Sequence, residues 1–306
     1  MSDRPSLRSG QALAAIDVGS NTVLLTVAEY DPDAGLVVVE EGEDQPRLGA
    51  GLSATGQLSE GAIRRALETL TTMRDVCRRH RAQRIAAVAT AAVREAGNGA
   101  EFVERARALD IPLRIISPET EAALSYRSAA HHFPGGKRQL VADIGGGSLE
   151  LIGANHGRVE LSQSLPLGAV RLTELGMPLD RLRDHIRRGL GGPNQLTEWA
   201  GSMVIGSGGT FATLASIALA RRGSGGRSVH GSVVSTEEVE QLLGMLVGLS
   251  PEQRRQTPGL RPERADIIVA GLAVVAELLK TVGADGVTVS GFGLRDGLLL
   301  EMVGLE

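Results

Sequence analysis

The feature that most constrains this chain is an internal repeat. A strand, an Asp-x-Gly turn, a second strand, another turn and a third strand occur once near residue 12 and again near residue 139. In the first copy, apolar runs at 12–16 and 23–28 flank Asp17-Val-Gly-Ser-Asn-Thr22, and a run at 35–39 follows a Pro/Asp/Gly turn. In the second, 139–142 leads into Asp143-Ile-Gly-Gly-Gly-Ser148, 149–152 follows, and an Asn-His-Gly turn precedes 158–164.

Helical pattern follows each meander. Ser59 is a candidate N-cap, after which Ile63, Ala66, Leu67, Leu70, Met73 and Cys77 keep helical spacing. That helix ends among Arg78, Arg79, His80 and Arg81, which suits the negative end of its dipole. These arginines, with Arg84, could track a polyanion or simply solvate a helix end. A strand at 84–90, a helix at 100–109, a strand at 113–116 and a helix at 119–131 complete a βββαβαβα half. In the second half, helices are predicted at 179–190, 211–220, 236–249, 262–282 and 294–303, with strands at 203–206 and 286–290. The expectation is an α/β protein of two duplicated half-domains with mixed sheets, residues 1–132 and 133–306. The Gly/Ser/Arg-rich stretch 221–232 has no periodicity and reads as a mobile loop.

Composition narrows the function classes. With 306 residues, 42% of them hydrophobic, two cores can be buried, and two domains make a cleft possible. Aromatic residues make up only 2%, too few to build a stacking platform for single-stranded nucleic acid, so no nucleic-acid partner is expected. The longest apolar region, 267–279, is too short for a bilayer, which needs about 20 apolar residues, so no membrane role is expected either. The first eleven residues carry no signal-peptide pattern, which points to the cytoplasm. Cys77 is the one cysteine and reads as a small buried hydrophobe. A net charge of −4 decides little, because a phosphate site is made by local amides, arginines and a metal.

An Asp-x-Gly-Ser hairpin tip leaves backbone N–H groups clustered, and such a nest can hold a phosphate. Glycine lets the backbone approach the ligand, at Gly19 in the first turn and at Gly145 and Gly146 in the second; Ser20, Asn21 and Ser148 add donors. Either turn alone could be an ordinary glycine-rich hairpin, but two at equivalent places suit a nucleotide or polyphosphate cleft. Asp143 and Glu150 bracket the second turn, and both could reach a hard cation beside the phosphate. Alternatively Asp143, like Asp17, caps its own turn.

Such paired hairpins occur across the actin/sugar-kinase/Hsp70 superfamily, and further segments narrow the match. Ala15-Ile-Asp-Val-Gly-Ser-Asn-Thr22, Ala89-Thr-Ala-Ala-Val-Arg-Glu-Ala-Gly-Asn98, Ile115-Ile-Ser-Pro-Glu-Thr-Glu-Ala122 and Val141-Ala-Asp-Ile-Gly-Gly-Gly-Ser-Leu-Glu150 resemble the exopolyphosphatase/guanosine pentaphosphatase family in order and spacing. Leu167-Gly-Ala-Val-Arg-Leu172, Gly206-Ser-Gly-Gly-Thr210, Val229-His-Gly231 and Gly293-Leu-Arg-Asp-Gly297 extend the resemblance over nearly the whole chain.

The resemblance implies two actin-like (ribonuclease H-like) half-domains with an interdomain cleft. It implies Mg²⁺-dependent hydrolysis, with Mn²⁺ as an alternative, of the terminal phosphoanhydride of inorganic polyphosphate or guanosine pentaphosphate. In the family pattern Glu121 positions and deprotonates the attacking water, and Arg94 and Asn21 hold phosphate oxygens. Gly19 and Ser20 complete the first cradle; Gly145, Gly146 and Ser148 form the second, with Gly208 in the third glycine turn; Asp143 and Glu150 hold the metal. A homodimer is plausible because many relatives associate.

Two departures stand out. Thr120 and Ala123 replace a glutamate and an arginine common in relatives, and Asp296 stands where a glutamate is common. The chain also stops at Glu306, where larger relatives continue into a helical region, which favours short-chain polyphosphate. Rival readings are a kinase of the same superfamily, with Gly206–Thr210 and Gly291–Gly293 lining an adenosine pocket, and a non-catalytic polyphosphate or alarmone sensor.

Overall fold

The computed structural model describes residues 9–135, 138–191 and 196–305. Residues 1–8, most of the stretch read as lacking a signal peptide, lie outside the described residues. Two compact units are formed, one by Met1–Ser117 with Leu294–Glu306 and one by Pro118–Gly293.

In the first unit, β1 (Gln11–Val18), β2 (Val23–Asp31) and β3 (Gly35–Asp44) form an antiparallel meander. The strands β4 (Arg84–Ala89) and β5 (Leu113–Ile115) add in parallel beside β1, giving the order β3-β2-β1-β4-β5. In the second unit, β6 (Arg138–Ile144), β7 (Leu149–Asn155) and β8 (Arg158–Leu165) form the same meander. There β9 (Met203–Ser207) and β11 (Gly286–Val289) are the parallel strands, and β10 (Val233–Ser235) closes the edge. Read from its other end, that sheet runs β8-β7-β6-β9-β11-β10, so the first five strands repeat the order of the first unit. Each unit is an actin-like, ribonuclease H-like half-domain.

The repeat holds at the level of single residues. Asp17 pairs with Leu24 across the first hairpin, and Asp143 pairs with Glu150 across the second. Gly19 N–H donates to Thr22 O at 3.0 Å, and Gly145 N–H donates to Ser148 O at 3.0 Å. A register shift falls between Val27 and Ala28 in one unit and between Gly153 and Ala154 in the other.

Helices cover the sheets. The first unit has α1 (Leu52–Thr55), α2 (Glu60–Arg79), α3 (Ala91–Glu95) and α4 (Gly99–Arg107). Ser59 caps α2 as predicted, its side chain accepting from Ala62 N–H, and Ile63, Ala66, Leu70, Met73 and Cys77 are buried on one face. Burial pushes the Cys77 thiol up to about 11, as expected of a structural cysteine. The arginine run is engaged locally: Arg78 meets Asp110, Arg79 meets Glu40, and Arg84 donates to Met302 O at 2.7 Å.

The second unit begins with α5 (Pro118–His132), followed by α6 (Ala169–Glu174), α7 (Leu179–Gly189), α8 (Gly209–Arg221), α9 (Thr236–Val247), α10 (Pro251–Arg255) and α11 (Ile268–Val282). The final helix, α12 (Leu294–Val303), returns to the first unit. The compact units therefore divide the chain differently from the boundary at 132/133. Helix α5 packs on β6, β7 and β8, and α12 packs on β1 and β2. Nη1 of Arg295 donates to both Leu25 O and Thr26 Oγ1 at 2.7 Å, and desolvation pulls this guanidinium below its ordinary value.

The helix predicted over 262–282 is two pieces, a single turn at Pro262–Arg264 and then α11. The break sets the Arg264 guanidinium against Gly209, where an added Cβ would lie 2.1 Å from Nη1. Helices α1, α3, α6 and α10 are four to six residues long, too short for a 3.6-residue period to show in sequence. The stretch 221–232 forms turns and is tied by Arg222 Nη2 to Val233 O at 3.0 Å.

Candidate active site

The site is built around the second Asp-x-Gly turn. Partners across an antiparallel ladder point to the same face, so pairing Asp143 with Glu150 sets two carboxylates side by side on the sheet. Helix α5 runs over this face. Ser125 Oγ donates to Asp143 Oδ2 at 3.2 Å, and Glu121 lies one helical turn earlier at 7% exposure. On the next strand Ser164, the ladder partner of Glu150, donates its hydroxyl to Glu150 Oε1 at 2.9 Å.

Burial dominates the electrostatics. Glu150 is 2% exposed, and its pKa is pushed up to about 8, first by desolvation, then by the charge of Glu121; the hydroxyls of Ser148 and Ser164 oppose the rise. Desolvation also raises Asp143, against smaller opposing effects of Ser207 and Ser125. Both carboxylates are thus served by serine hydroxyls, and Asp143 bonds to a serine of α5 instead of capping its own turn. Two crowded acids whose charged forms are disfavoured suit a cation. Among the described residues no three His, Cys, Asp or Glu side chains converge on a ready-made metal site. Two carboxylates completed by water and substrate phosphate are what Mg²⁺ commonly accepts.

Gly208 approaches this cluster closely. Its φ is +86°, and a Cβ there would lie 2.6 Å from Asp143 Oδ1, so both conformation and space require glycine. It directly precedes α8, whose N-terminal dipole favours a negative group beside it. Gly145, Gly146 and Ser148 form the turn itself.

The first turn has the same backbone and different chemistry. Ser20, Asn21 and Thr22 are buried, and Asn21 Nδ2 reaches Thr22 Oγ1 at 3.4 Å and Gln45 Oε1 at 3.3 Å. Gly19 closes the turn, as described above. The position matching Glu150 is Leu24, and Asp17 lies in the field of the half-buried Arg295 guanidinium. Arg94 stands on α3 and donates through Nη1 to Ile116 O at 2.9 Å, so it is held in place within its unit.

Sequence reading missed Ser125 and Ser164. The first could have been found as the residue four after Glu121, the second as the residue opposite Glu150 once the meander is drawn. At the end of α5, His132 stacks on Phe292 with ring centroids 3.8 Å apart, and His230 lies 5.0 Å from the same ring. This covers one face of the ring in the Gly291–Gly293 segment that an adenosine pocket would use. Of the two residues near Glu121 that depart from the family pattern, Ala123 is exposed and Thr120 half-buried.

A model of the Ppx/GppA phosphatase family matches residues 26–306. The chain belongs to that family. Exopolyphosphatase 2 of Mycobacterium tuberculosis is 31% identical over 95% of this chain and 98% of its own length. A guanosine-5'-triphosphate,3'-diphosphate pyrophosphatase of Aeromonas hydrophila is 29% identical over 95% of this chain and 59% of its own. Among solved structures, an exopolyphosphatase from Cytophaga hutchinsonii superposes with a TM-score of 0.90 at 26% identity, covering 97% of this chain and 99% of that one. The Ppx/GppA family member of Aquifex aeolicus gives a TM-score of 0.79 at 28% identity, covering 96% and 97%. Among the described residues no helix is long and apolar enough to cross a membrane.

Proposed function

We propose that this chain is a cytoplasmic exopolyphosphatase that hydrolyses the terminal phosphoanhydride of inorganic polyphosphate, favouring short chains and releasing orthophosphate. The observation that carries the reading is the buried Glu121 on α5, one turn from the serine that holds Asp143, in a chain whose curated relatives include an exopolyphosphatase over nearly equal length.

In this mechanism the turn of Gly145, Gly146 and Ser148 receives the terminal phosphoryl oxygens on the amides of Gly146, Gly147 and Ser148, the Gly145 N–H being taken up by Ser148 O. Glu121 accepts a proton from water as the water oxygen bonds to phosphorus and the bridging P–O bond breaks. The electron pair leaves on the shortened chain. Phosphoryl transfer of this kind depends on alignment and neutralisation of charge more than on covalent chemistry. Arg94 and Asn21, with Gly19 and Ser20 of the first turn and Gly208 of the third, supply further phosphate contacts in the family pattern. Asp143 and Glu150 would hold Mg²⁺ or Mn²⁺, which when bound neutralises phosphate charge. That role gives the two disfavoured carboxylates a counter-charge.

The second reading is guanosine pentaphosphate hydrolysis, favoured by the Aeromonas relative and ending in the same bond. Phosphate release from short-chain polyphosphate, long-chain polyphosphate and guanosine pentaphosphate, with Mg²⁺ and with Glu121→Gln in parallel, decides between them. Turnover of guanosine pentaphosphate alone replaces the first reading with the second. Binding without turnover of any substrate makes the chain a sensor.

A further inference from the structure

The second turn is braced from behind. After β8 the chain folds back, and α6 begins against the turn. Ala169 N–H donates to Gly145 O at 3.0 Å, and the N–H groups of Val170 and Arg171 donate to Gly146 O at 3.0 and 3.1 Å. Gly147 O accepts from Gly168 N–H at 3.3 Å and from the Arg171 side chain, through Nε, at 2.8 Å. Three successive carbonyls are therefore drawn toward α6. In a planar trans peptide the N–H lies opposite the C=O, so the amides of Gly146, Gly147 and Ser148 are turned to the far side. Gly168 allows this approach: a Cβ there would lie 2.3 Å from the carbonyl carbon of Gly147.

The first turn has a brace of the same kind. Gly49 N–H donates to Ser20 O at 2.7 Å and Arg47 N–H to Asn21 O at 3.1 Å, from a segment that likewise follows the third strand. Pro46-Arg-Leu-Gly49 and Pro166-Leu-Gly168 are the sequence trace of the device, with Leu48 and Leu167 both buried.

We propose that Arg171 is a positioning residue: by holding Gly147 O it fixes the direction of the turn amides that receive the terminal phosphoryl group. This rests on the hydrolase reading above for its substrate, while the brace itself can be tested without turnover. A group that only stabilised the fold would lower the active fraction and hence kcat at unchanged KM. A group that aims the amides changes KM as well, because the phosphoryl group is bound by them before and during reaction.

The test compares the full-length chain with Arg171→Met, Arg171→Lys and Gly168→Ala, using tripolyphosphate with Mg²⁺. Steady-state kinetics, calorimetric affinity for tripolyphosphate and amide hydrogen exchange over 167–171 are read together. For Arg171→Met, kcat/KM falls about 100-fold, with KM raised about tenfold, as expected of a misplaced cradle. The exchange of residues 169–171 accelerates at least about fivefold as their acceptors move. Lysine, which can offer one donor to Gly147 O, recovers part of the loss, and Gly168→Ala reproduces the KM effect without touching the arginine. An Arg171→Met protein with KM within about twofold of the parent and unchanged exchange overturns the proposal. If the parent releases no phosphate from any polyphosphate, the hydrolase reading fails on its own. Affinity and exchange then decide the role of Arg171, and no change in either overturns it.

Discussion

The two Asp-x-Gly turns share a skeleton and differ in charge. Register, closing hydrogen bond and bulge position coincide, yet Glu150 in the second unit is Leu24 in the first. Asp143 meets serine hydroxyls where Asp17 lies in the field of Arg295. Backbone geometry supplies the same tight turn twice; in the second, burial holds Asp143 and Glu150 against their charged forms.

The largest expected effect breaks the comparison outright. Glu121→Gln removes the proton acceptor proposed for the second unit, and kcat should fall about 10³-fold with folding retained, measured as phosphate release beside a thermal melt. Next, the buried acid has a stability signature. Glu150 holds its proton in the folded protein up to about pH 8, while in the unfolded chain it releases it in the ordinary carboxylate range. The folded state thus binds more protons between those limits, so stability of the metal-free protein falls as pH rises from about 5 to 8, by on the order of a few kcal/mol. Denaturant melts should show that slope, and Glu150→Leu, which copies the first turn, should flatten it while lowering activity.

The reverse graft, Leu24→Glu, should cost about 1–3 kcal/mol in the same melts, because it sets a second carboxylate beside Asp17, its ladder partner, at a half-buried strand position. Gly208→Ala should lower kcat/KM about tenfold, since the new Cβ meets Asp143 at a backbone angle that disfavours any side chain. The smallest effect belongs to Ala123→Arg. The position is exposed, so restoring the common arginine should leave stability within about 0.5 kcal/mol and show only in a substrate titration.

Much of this was legible in the sequence. The Asp-x-Gly turns, the Ser59 cap and the buried face of α2 follow from glycine placement and periodicity, which are local properties. Asp143 and Glu150 could be paired because a hairpin fixes its own register. What was hidden depends on contacts made at a distance. Helix α12 belongs to the first unit because Arg295 reaches β2, and no periodicity announces that. Ser125 and Arg171 matter for the atoms they meet on other elements, and α3 and α6 are too short to leave a pattern.

The return of α12 also bears on how the chain is made. The second unit is inserted within the first, between Ser117 and Leu294. A ribosome delivers β1 to β5 early, but the helix that packs on β1 and β2, and the guanidinium that bonds Leu25 and Thr26, emerge only with the last residues. The first unit is begun first and finished last. Its apolar sheet face stays open while the whole of the second unit is synthesised, an interval of roughly ten seconds or more at ordinary translation rates.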